Sequence, residues 1–135
     1  MKRSRLFPGA VAGLLAVVAL SGCDVPDQEE RRARMHLPPD DFVADASIGG
    51  TLFQGNCATC HGADARGTDK GPPLIDPVYR PGHHADMVFH LAVKDGAKQH
   101  HWHFGDMPPV PGLTPEQVGH VIAWVRQEQR RAGIK

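Results

Sequence analysis

Apolar residues recur at helical spacing in three parts of the chain, and the clearest series lies near the C terminus. Its positions, numbered 0, 3, 4 and 7, are Val118, Val121, Ile122 and Val125. This spacing is typical of the buried face of an α-helix. Thr114 and Gln117 form a Thr-x-x-Gln capping box around Pro115 at the first helical position, and Gly133 is a stop signal. The pattern therefore predicts a helix that begins after Thr114 and ends at Gly133.

Two weaker helical patterns lie upstream. One covers residues 48–56, and the other runs from His84 to Lys94 and stops at Asp95-Gly96. Its predicted apolar face consists of Met87, Val88, Leu91 and Ala92. Loops rich in glycine and proline separate the helices, as in Gly71-Pro72-Pro73, and no strand pattern of similar strength occurs. The chain is therefore predicted to be all-α with long loops.

The first 22 residues have the pattern of an export signal. A basic start containing Lys2, Arg3 and Arg5 precedes an apolar stretch at residues 11–20, which is short for a permanent membrane span. Leu20-Ser21-Gly22-Cys23 resembles the lipobox of a bacterial lipoprotein, so we predict cleavage before Cys23 and lipidation of its thiol. The alternative is an ordinary secretory signal with a chance cysteine. Both interpretations predict export.

Residues 23–41 are polar and charged with few apolar anchors, which predicts a flexible tether between the lipid and a domain at residues 42–135. Asp24 resembles the residue that retains some lipoproteins in the inner membrane, so we expect the protein at the periplasmic face of that membrane.

Removal of the leader's three basic residues turns the balance of 15 basic and 15 acidic residues into 12 against 15, a formal charge of −3. No basic stripe is present, which argues against a nucleic-acid partner.

Cys57-Ala58-Thr59-Cys60-His61 carries the strongest chemical signal. Two thiols separated by two residues and followed by histidine are typical of covalent attachment of haem, with the histidine as an iron ligand. The alternatives are a thioredoxin-like dithiol, which favours a βαβ context, and half of a zinc site, which needs two more ligands. The chain's three cysteines leave no pair for a disulfide once Cys23 is assigned to lipid and the other two to haem.

A second axial ligand decides between electron transfer and binding of small ligands. We predict Met107, because it lies in Gly105-Asp106-Met107-Pro108-Pro109, where prolines prevent helix formation and stiffen the loop. Met87 lies in a helical pattern and is expected in the core, whereas Met35 lies in the tether. For any single methionine, packing in the core is the alternative role.

Histidine is frequent between the haem motif and Met107. The group comprises His83, His84, His90, His100, His101 and His103. Three interpretations stay open: a copper or zinc site, a histidine that replaces methionine on the iron, and surface or rim residues bonded to backbone or propionates.

These residues together resemble a small class I c-type cytochrome over about residues 47–126. The resemblance rests on Gly49, Phe53, the Cys57 to Gly62 motif, Gly71-Pro72-Pro73-Leu74, Met107-Pro108-Pro109 and Trp124. It implies three to four helices wrapped around one covalent haem c. It also implies a contact of Gly49 and Phe53 with Trp124, and a hydrogen bond from His61 to the carbonyl of Pro73, twelve residues further on. The run of residues 100–104 departs from the family pattern, and Trp102 or Phe104 is expected to line or cover the haem pocket.

The function implied by the resemblance is that of a monohaem electron carrier, not an enzyme, held in the bacterial envelope by its lipid. Its partners would be exported redox proteins met as a monomer in transient complexes. Three alternatives remain. One is a haem enzyme or gas-binding protein with a displaceable sixth ligand, another is a metal-handling module that uses the histidine group, and the third is the electron-transfer subunit of a larger oxidoreductase.

Overall fold

The computed structural model describes residues 26–135, so the predicted signal peptide and Cys23 lie outside the described residues. Five α-helices follow in chain order: α1 (Gln28–Arg34), α2 (Ala46–Asn56), α3 (Ala58–His61), α4 (Asp86–Asp95) and α5 (Pro115–Arg131), with a 3₁₀ turn at Pro77–Tyr79. In this part of the chain the only extended pairing is a bridge between Ala97 and Met107. The predicted all-α class is confirmed. No helix within residues 26–135 is long and apolar enough to span a bilayer.

Helix α5 begins and ends as its sequence predicts. The Thr114 hydroxyl accepts from the Gln117 amide at 3.3 Å, and the Gln117 side chain accepts from the Thr114 amide at 2.9 Å, so both halves of the capping box form. The apolar stripe is buried, with Val118 and Val125 almost fully inaccessible to solvent. Helix α5 therefore supplies the inner wall against which α2 and α4 pack.

Helices α2 and α5 cross in close contact at Gly49. A Cβ atom added to Gly49 would lie 1.9 Å from the carbonyl oxygen of His120, so only glycine permits this approach. One turn further along α2, Phe53 is fully buried, and its ring centroid is 4.4 Å from that of Trp124. The contact of Gly49 and Phe53 with Trp124, implied by the family resemblance, is confirmed.

Helix α4 turns only part of its predicted apolar face inward. Its buried residues are His90 and Val93, while Val88 and Ala92 line the cavity described below and Met87 is 41% exposed. The prediction that Met87 is a core residue is therefore wrong. Asp86 and Phe89 both contact Arg126 of α5, and this fixes the rotation of α4 so that the row containing His90 and Val93 turns inward.

The described part of the predicted flexible tether is ordered against the domain. Asp27 caps α1 by accepting from the Glu30 amide at 2.7 Å. Beyond the helix, the His36 ring bonds the carbonyl of Leu113 at 3.0 Å, and Lys94 donates to the carbonyl of Arg34 at 2.6 Å. These polar contacts with distant parts of the chain replace the apolar anchors that the segment lacks.

Candidate haem-binding site

An apolar cavity lies between the end of α2, helix α4, the middle of α5 and residues 97–110. Its walls carry four of the predicted site residues, namely Cys57, Cys60, His61 and Met107. Apolar and aromatic side chains form most of the remaining surface, among them Phe53, Leu74, Val88, Phe89, Val121 and Val125. The fold thus brings the haem motif and the proposed methionine, which are far apart in sequence, to one cavity.

The short helix α3 directs the three residues of the haem motif into this cavity. Cys57 ends α2, with its amide bonded to the Phe53 carbonyl at 2.8 Å, and its own carbonyl accepts from the amides of Cys60 at 3.1 Å and His61 at 3.0 Å. This single turn therefore places two thiols and an imidazole on the same wall.

Both thiols are free, and burial raises the pKa of the Cys57 thiol to about 11, with a smaller contribution from the nearby Cys60. A dithiol redox site needs a thiol whose pKa is lowered, because the thiolate is the attacking species. Cys57 is shifted in the opposite direction. The described residues also contain no strand–helix–strand unit of the kind that a thioredoxin-like site favours, so the fold agrees with thioether attachment.

His61 is buried and held by one hydrogen bond. Its Nδ1 atom donates to the carbonyl of Pro72 at 2.9 Å, and burial lowers the pKa of the ring, against a smaller opposite effect of this bond. The imidazole is therefore neutral at neutral pH, and its Nε2 atom keeps a lone pair. A metal-binding histidine usually donates a hydrogen bond to a carbonyl from the ring nitrogen that does not bind the metal.

The acceptor of this bond corrects the prediction of Pro73. Leu74 donates its amide to the carbonyl of Ala65 at 2.7 Å, which orients the peptide unit between Pro73 and Leu74 toward the 62–67 loop. Pro73 does not line the cavity, whereas Pro72 does. Successive carbonyls in an extended proline pair point in different directions, so only the carbonyl of Pro72 faces the histidine.

Met107 is held on the cavity wall by its backbone. Its amide donates to the Ala97 carbonyl at 2.9 Å, and its carbonyl accepts from the Ala97 amide at 3.0 Å. The other two candidate methionines do not line the cavity, since Met35 caps the end of α1 and Met87 is exposed on α4. Among the described residues, Met107 is the methionine that lines the cavity together with His61.

A buried hydrogen-bond donor in the cavity wall, the indole N–H of Trp102, suits the carboxylate edge of a haem. The Nε1 atom of Trp102 is buried and has no hydrogen-bond partner among the described residues. Trp102 and Phe104 both line the cavity, as expected for the unusual 100–104 run. An indole N–H in this setting suits the carboxylates of haem, and the two thiols, imidazole and thioether suit its vinyl groups and iron. The residues present therefore fit a haem.

A polar network that the sequence analysis missed fixes the loop beside the cavity. Arg126 is buried and donates to Asp86 at 2.8 Å, to the carbonyl of Tyr79 at 2.6 Å and to the carbonyl of His84. Gln129 accepts from Arg126 at 2.7 Å and donates to the carbonyl of Leu74 at 2.9 Å. Gln129 lies in the same row of α5 as Val118, Ile122 and Val125. Its place in that row is the sequence signal that could have predicted its burial.

Four histidines of the predicted group come together at the rim of the cavity. The Nε2 atoms of His83 and His101 are 3.3 Å apart, and those of His84 and His100 are 3.4 Å apart. Burial lowers the pKa of His84 against a smaller opposite effect of its bond to the Val78 carbonyl, and the nearby His83, His101 and His100 rings lower it further. His90 lies buried in α4 and His103 is exposed, and neither belongs to the cluster.

Comparison with known proteins agrees with this geometry. The Cytochrome c family matches residues 46–129, more than half of the chain. The chain is also 38% identical over 81 residues to the Cbb3-type cytochrome c oxidase subunit CcoP of Rubrivivax gelatinosus, covering 58% of this chain and 24% of that protein. The chain thus spans about a quarter of the length of this relative. These matches agree with the cavity and its thiol, imidazole and thioether groups: the chain belongs to the cytochrome c family, which implies a covalently bound haem c and a function in electron transfer.

Proposed function

We propose that this protein is a membrane-tethered monohaem electron carrier that passes single electrons between exported redox proteins. The observation that carries the proposal is the meeting of Cys57, Cys60, His61 and Met107 on one apolar cavity. When bound, haem c supplies a couple between ferrous and ferric iron that exchanges one electron. The chain's own residues hold the group, exclude water and set its two axial ligands.

Cys57 and Cys60 are proposed to hold the haem through thioethers, and His61 to bind iron through Nε2. The carbonyl of Pro72 keeps the proton on Nδ1, so the lone pair of Nε2 is directed to the metal. The hydrogen bond to the Pro72 carbonyl also restricts rotation of the His61 ring. The same arrangement makes the imidazole a better electron donor.

Met107 is proposed as the second axial ligand. Its sulfur favours ferrous iron, so the potential should be higher than with two histidines. With both axial positions filled, small ligands have no open site, which favours electron transfer over gas binding or ligand chemistry. The paired backbone of Ala97 and Met107 supports this assignment, because it limits how far the methionine moves away from the cavity.

The Cys23 lipid, periplasmic location and inner-membrane anchoring belong to the proposal on sequence grounds. The Leu20 to Cys23 pattern and Asp24 support them. Replacement of Cys23 by alanine should release the haem-loaded protein from the membrane fraction into the periplasmic fraction. Retention of the variant in the membrane would contradict lipid anchoring and leave the haem assignment intact.

A second candidate is the electron-transfer subunit of a larger oxidoreductase. The 38% identity to a subunit of a cbb3-type oxidase favours it, and the chemistry at the haem would be the same. Affinity purification of the full chain from native membranes distinguishes the two functions. A stable complex that contains an oxidase or reductase would favour the subunit, whereas isolation of the cytochrome alone favours a mobile carrier.

The axial ligand is tested with Met107→Ala and, as a matched control, Met87→Ala, because Met87 is exposed and does not line the cavity. Both variants should retain one covalent haem by mass spectrometry. The near-infrared band that ferric cytochromes of this family show with methionine on iron should disappear only in Met107→Ala, which should also bind carbon monoxide. A wild-type protein without haem, or a band that survives in Met107→Ala, would overturn the proposal.

A further inference from the structure

We propose that His83, His84 and His101 form a binding site for a transition-metal cation such as Cu²⁺ or Zn²⁺, separate from the haem iron and located at the rim of the haem cavity. Each histidine offers one ring nitrogen, and the three nitrogens all lie within 4.8 Å of one another. The haem ligands His61 and Met107 do not take part in this cluster.

The spacing of the nitrogens suits one shared ion. Two nitrogens that bind a tetrahedral zinc ion, each at about 2.05 Å, are ~3.3 Å apart. The Nε2 atoms of His83 and His101 are separated by 3.3 Å, and those of His84 and His100 by 3.4 Å. The first separation, within the cluster, matches the edge of a metal tetrahedron. His100 lies outside the group of three rings whose nitrogens are all within 4.8 Å of one another, so it adjoins His84 without belonging to the ligand set.

The hydrogen bonds of two rings leave their facing nitrogens without protons. His84 donates from Nδ1 to the carbonyl of Val78 at 2.8 Å, and His100 donates from Nδ1 to the carbonyl of Lys98 at 2.7 Å. In the neutral rings, each Nε2 atom then carries a lone pair, and the two lone pairs face each other. The Nε2 atom of the buried His84 is therefore available to a cation, because no hydrogen lies between the two neutral rings to occupy it.

The ligands are ordered in advance of binding and open to solvent. The amides of His83 and His84 both bond the carbonyl of Arg80 at 2.9 Å, and Arg126 bonds the carbonyl of His84. His84 is buried, while His83 and His101 are exposed, so an ion can reach the site from solvent. Because the buried His84 is held in place before an ion binds, less conformational entropy is lost on binding.

The donor set selects the class of ion. The cluster consists of imidazoles without a carboxylate, which suits Cu²⁺, Zn²⁺ or Ni²⁺ and disfavours Ca²⁺ and Mg²⁺. The general order of stability predicts that Cu²⁺ binds more tightly than Zn²⁺.

The experiment uses the haem-loaded, chelator-treated full protein, titrated calorimetrically with zinc sulfate and with copper sulfate against a competing chelator. One ion per chain should bind. His83→Ala and His101→Ala alter exposed ligands, so folding is preserved, and each should weaken binding by roughly 100-fold. His103→Ala is the matched control, since it removes an exposed histidine from the same run outside the cluster, and its affinity should equal that of the wild type.

Electron paramagnetic resonance of the copper-loaded protein should show hyperfine coupling to imidazole nitrogen, which is reduced in His101→Ala. The absorption spectrum of the haem should keep its axial-ligand bands when zinc binds. The proposal is overturned if the wild type takes up no ion stoichiometrically, if His83→Ala and His101→Ala bind as tightly as His103→Ala, or if a cluster histidine is found on the haem iron. The last result would also contradict Met107 ligation, whereas the first two would leave it unaffected.

Discussion

Ala97 and Met107 exchange both of their backbone hydrogen bonds, at 3.0 and 2.9 Å, and so close the segment of residues 98–106 into a loop. This pairing holds the methionine in register with the end of α4. Gly96, immediately before the bridge, has a φ of +79° and lies against the carbonyl of Met107. The position of the proposed iron ligand therefore depends on a glycine.

Replacement of Gly96 by alanine should displace Met107. The new Cβ atom would lie 2.5 Å from the Met107 carbonyl oxygen, a backbone atom that cannot move without opening the bridge. We expect Gly96→Ala to retain covalent haem and to lose most of the methionine–iron band in the near infrared. Gain of carbon monoxide binding at neutral pH would be the second measurement.

Gly105→Ala is the matched control for this variant. Gly105 has a similar φ of +88° in the same loop, but an added Cβ atom meets nothing within 4 Å. Both variants should lose about 1–3 kcal/mol of stability from the positive φ, and the loss should be larger for Gly96→Ala, because the ψ of 178° at Gly96 is nearly restricted to glycine. If Gly105→Ala loses the methionine–iron band as fully as Gly96→Ala, the steric explanation is wrong.

Contact between α2 and α5 should fail when Gly49 is replaced by alanine. A Cβ atom 1.9 Å from the His120 carbonyl forces the helices apart and exposes the Phe53 and Trp124 pair. Chemical denaturation should show a loss of about 3 kcal/mol or more. Gly55→Ala lies on the same helix with open space around it and should stabilise the protein by about 0.5–1 kcal/mol. Equal effects of the two substitutions would contradict the packing argument.

Local sequence signals were sufficient for the parts of this fold that depend on neighbouring residues. The capping box at Thr114 and the apolar stripe depend only on residues of helix α5 and its cap. The geometry of the motif ending at His61 depends only on its own five residues. Met107 was predicted because its flanking prolines exclude a helix. Such features need no knowledge of the rest of the chain.

The features that sequence reasoning missed all depend on distant partners. The choice of Pro72 over Pro73 follows from the bond between Leu74 and Ala65, and the inward face of α4 follows from Arg126. The sequence left a metal site open as one interpretation of the histidine group, but not which of its members meet, because His83 and His84 are separated from His101 by helix α4. The spacing of residues within one segment does not show which carbonyl or ring a side chain from a distant segment contacts.

Arg126 should contribute to stability chiefly through backbone carbonyls rather than through its ion pair. The guanidinium is buried and bonds the carbonyls of Tyr79 and His84, while its partner Asp86 is 63% exposed. Arg126→Ala should cost about 2–4 kcal/mol, because it removes the donor to the carbonyl of His84 and one of the two donors to the carbonyl of Tyr79, which also accepts from Gln129 at 3.1 Å. Asp86→Ala should cost about 1 kcal/mol or less. A larger loss for Asp86→Ala, measured by urea denaturation, would reverse this order of importance.

His90 should make the folded protein less stable as the pH falls below about 6.5, the ordinary pKa of a histidine. Burial in α4 lowers the pKa of His90, and the nearby His36 ring lowers it further, whereas a hydrogen bond to the His36 backbone and, to a smaller extent, Asp86 have the opposite effect. The Nδ1 atom of His90 is buried without a hydrogen-bond partner among the described residues, so the folded state provides no acceptor for a proton there.

The sign follows from this preference for the neutral ring. Below the unfolded pKa, the unfolded chain binds a proton that folded His90 does not, so stability is complete above that pH and decreases as the pH falls toward the lower folded pKa. His90→Phe removes this proton uptake while retaining a ring of similar size. The free energy of unfolding, measured by urea denaturation at several pH values between 5 and 8, should depend less on pH in His90→Phe than in the wild type. His103→Gln removes an exposed histidine and should leave the wild-type dependence unchanged; an equal flattening in both variants would show that the acid sensitivity does not come from His90.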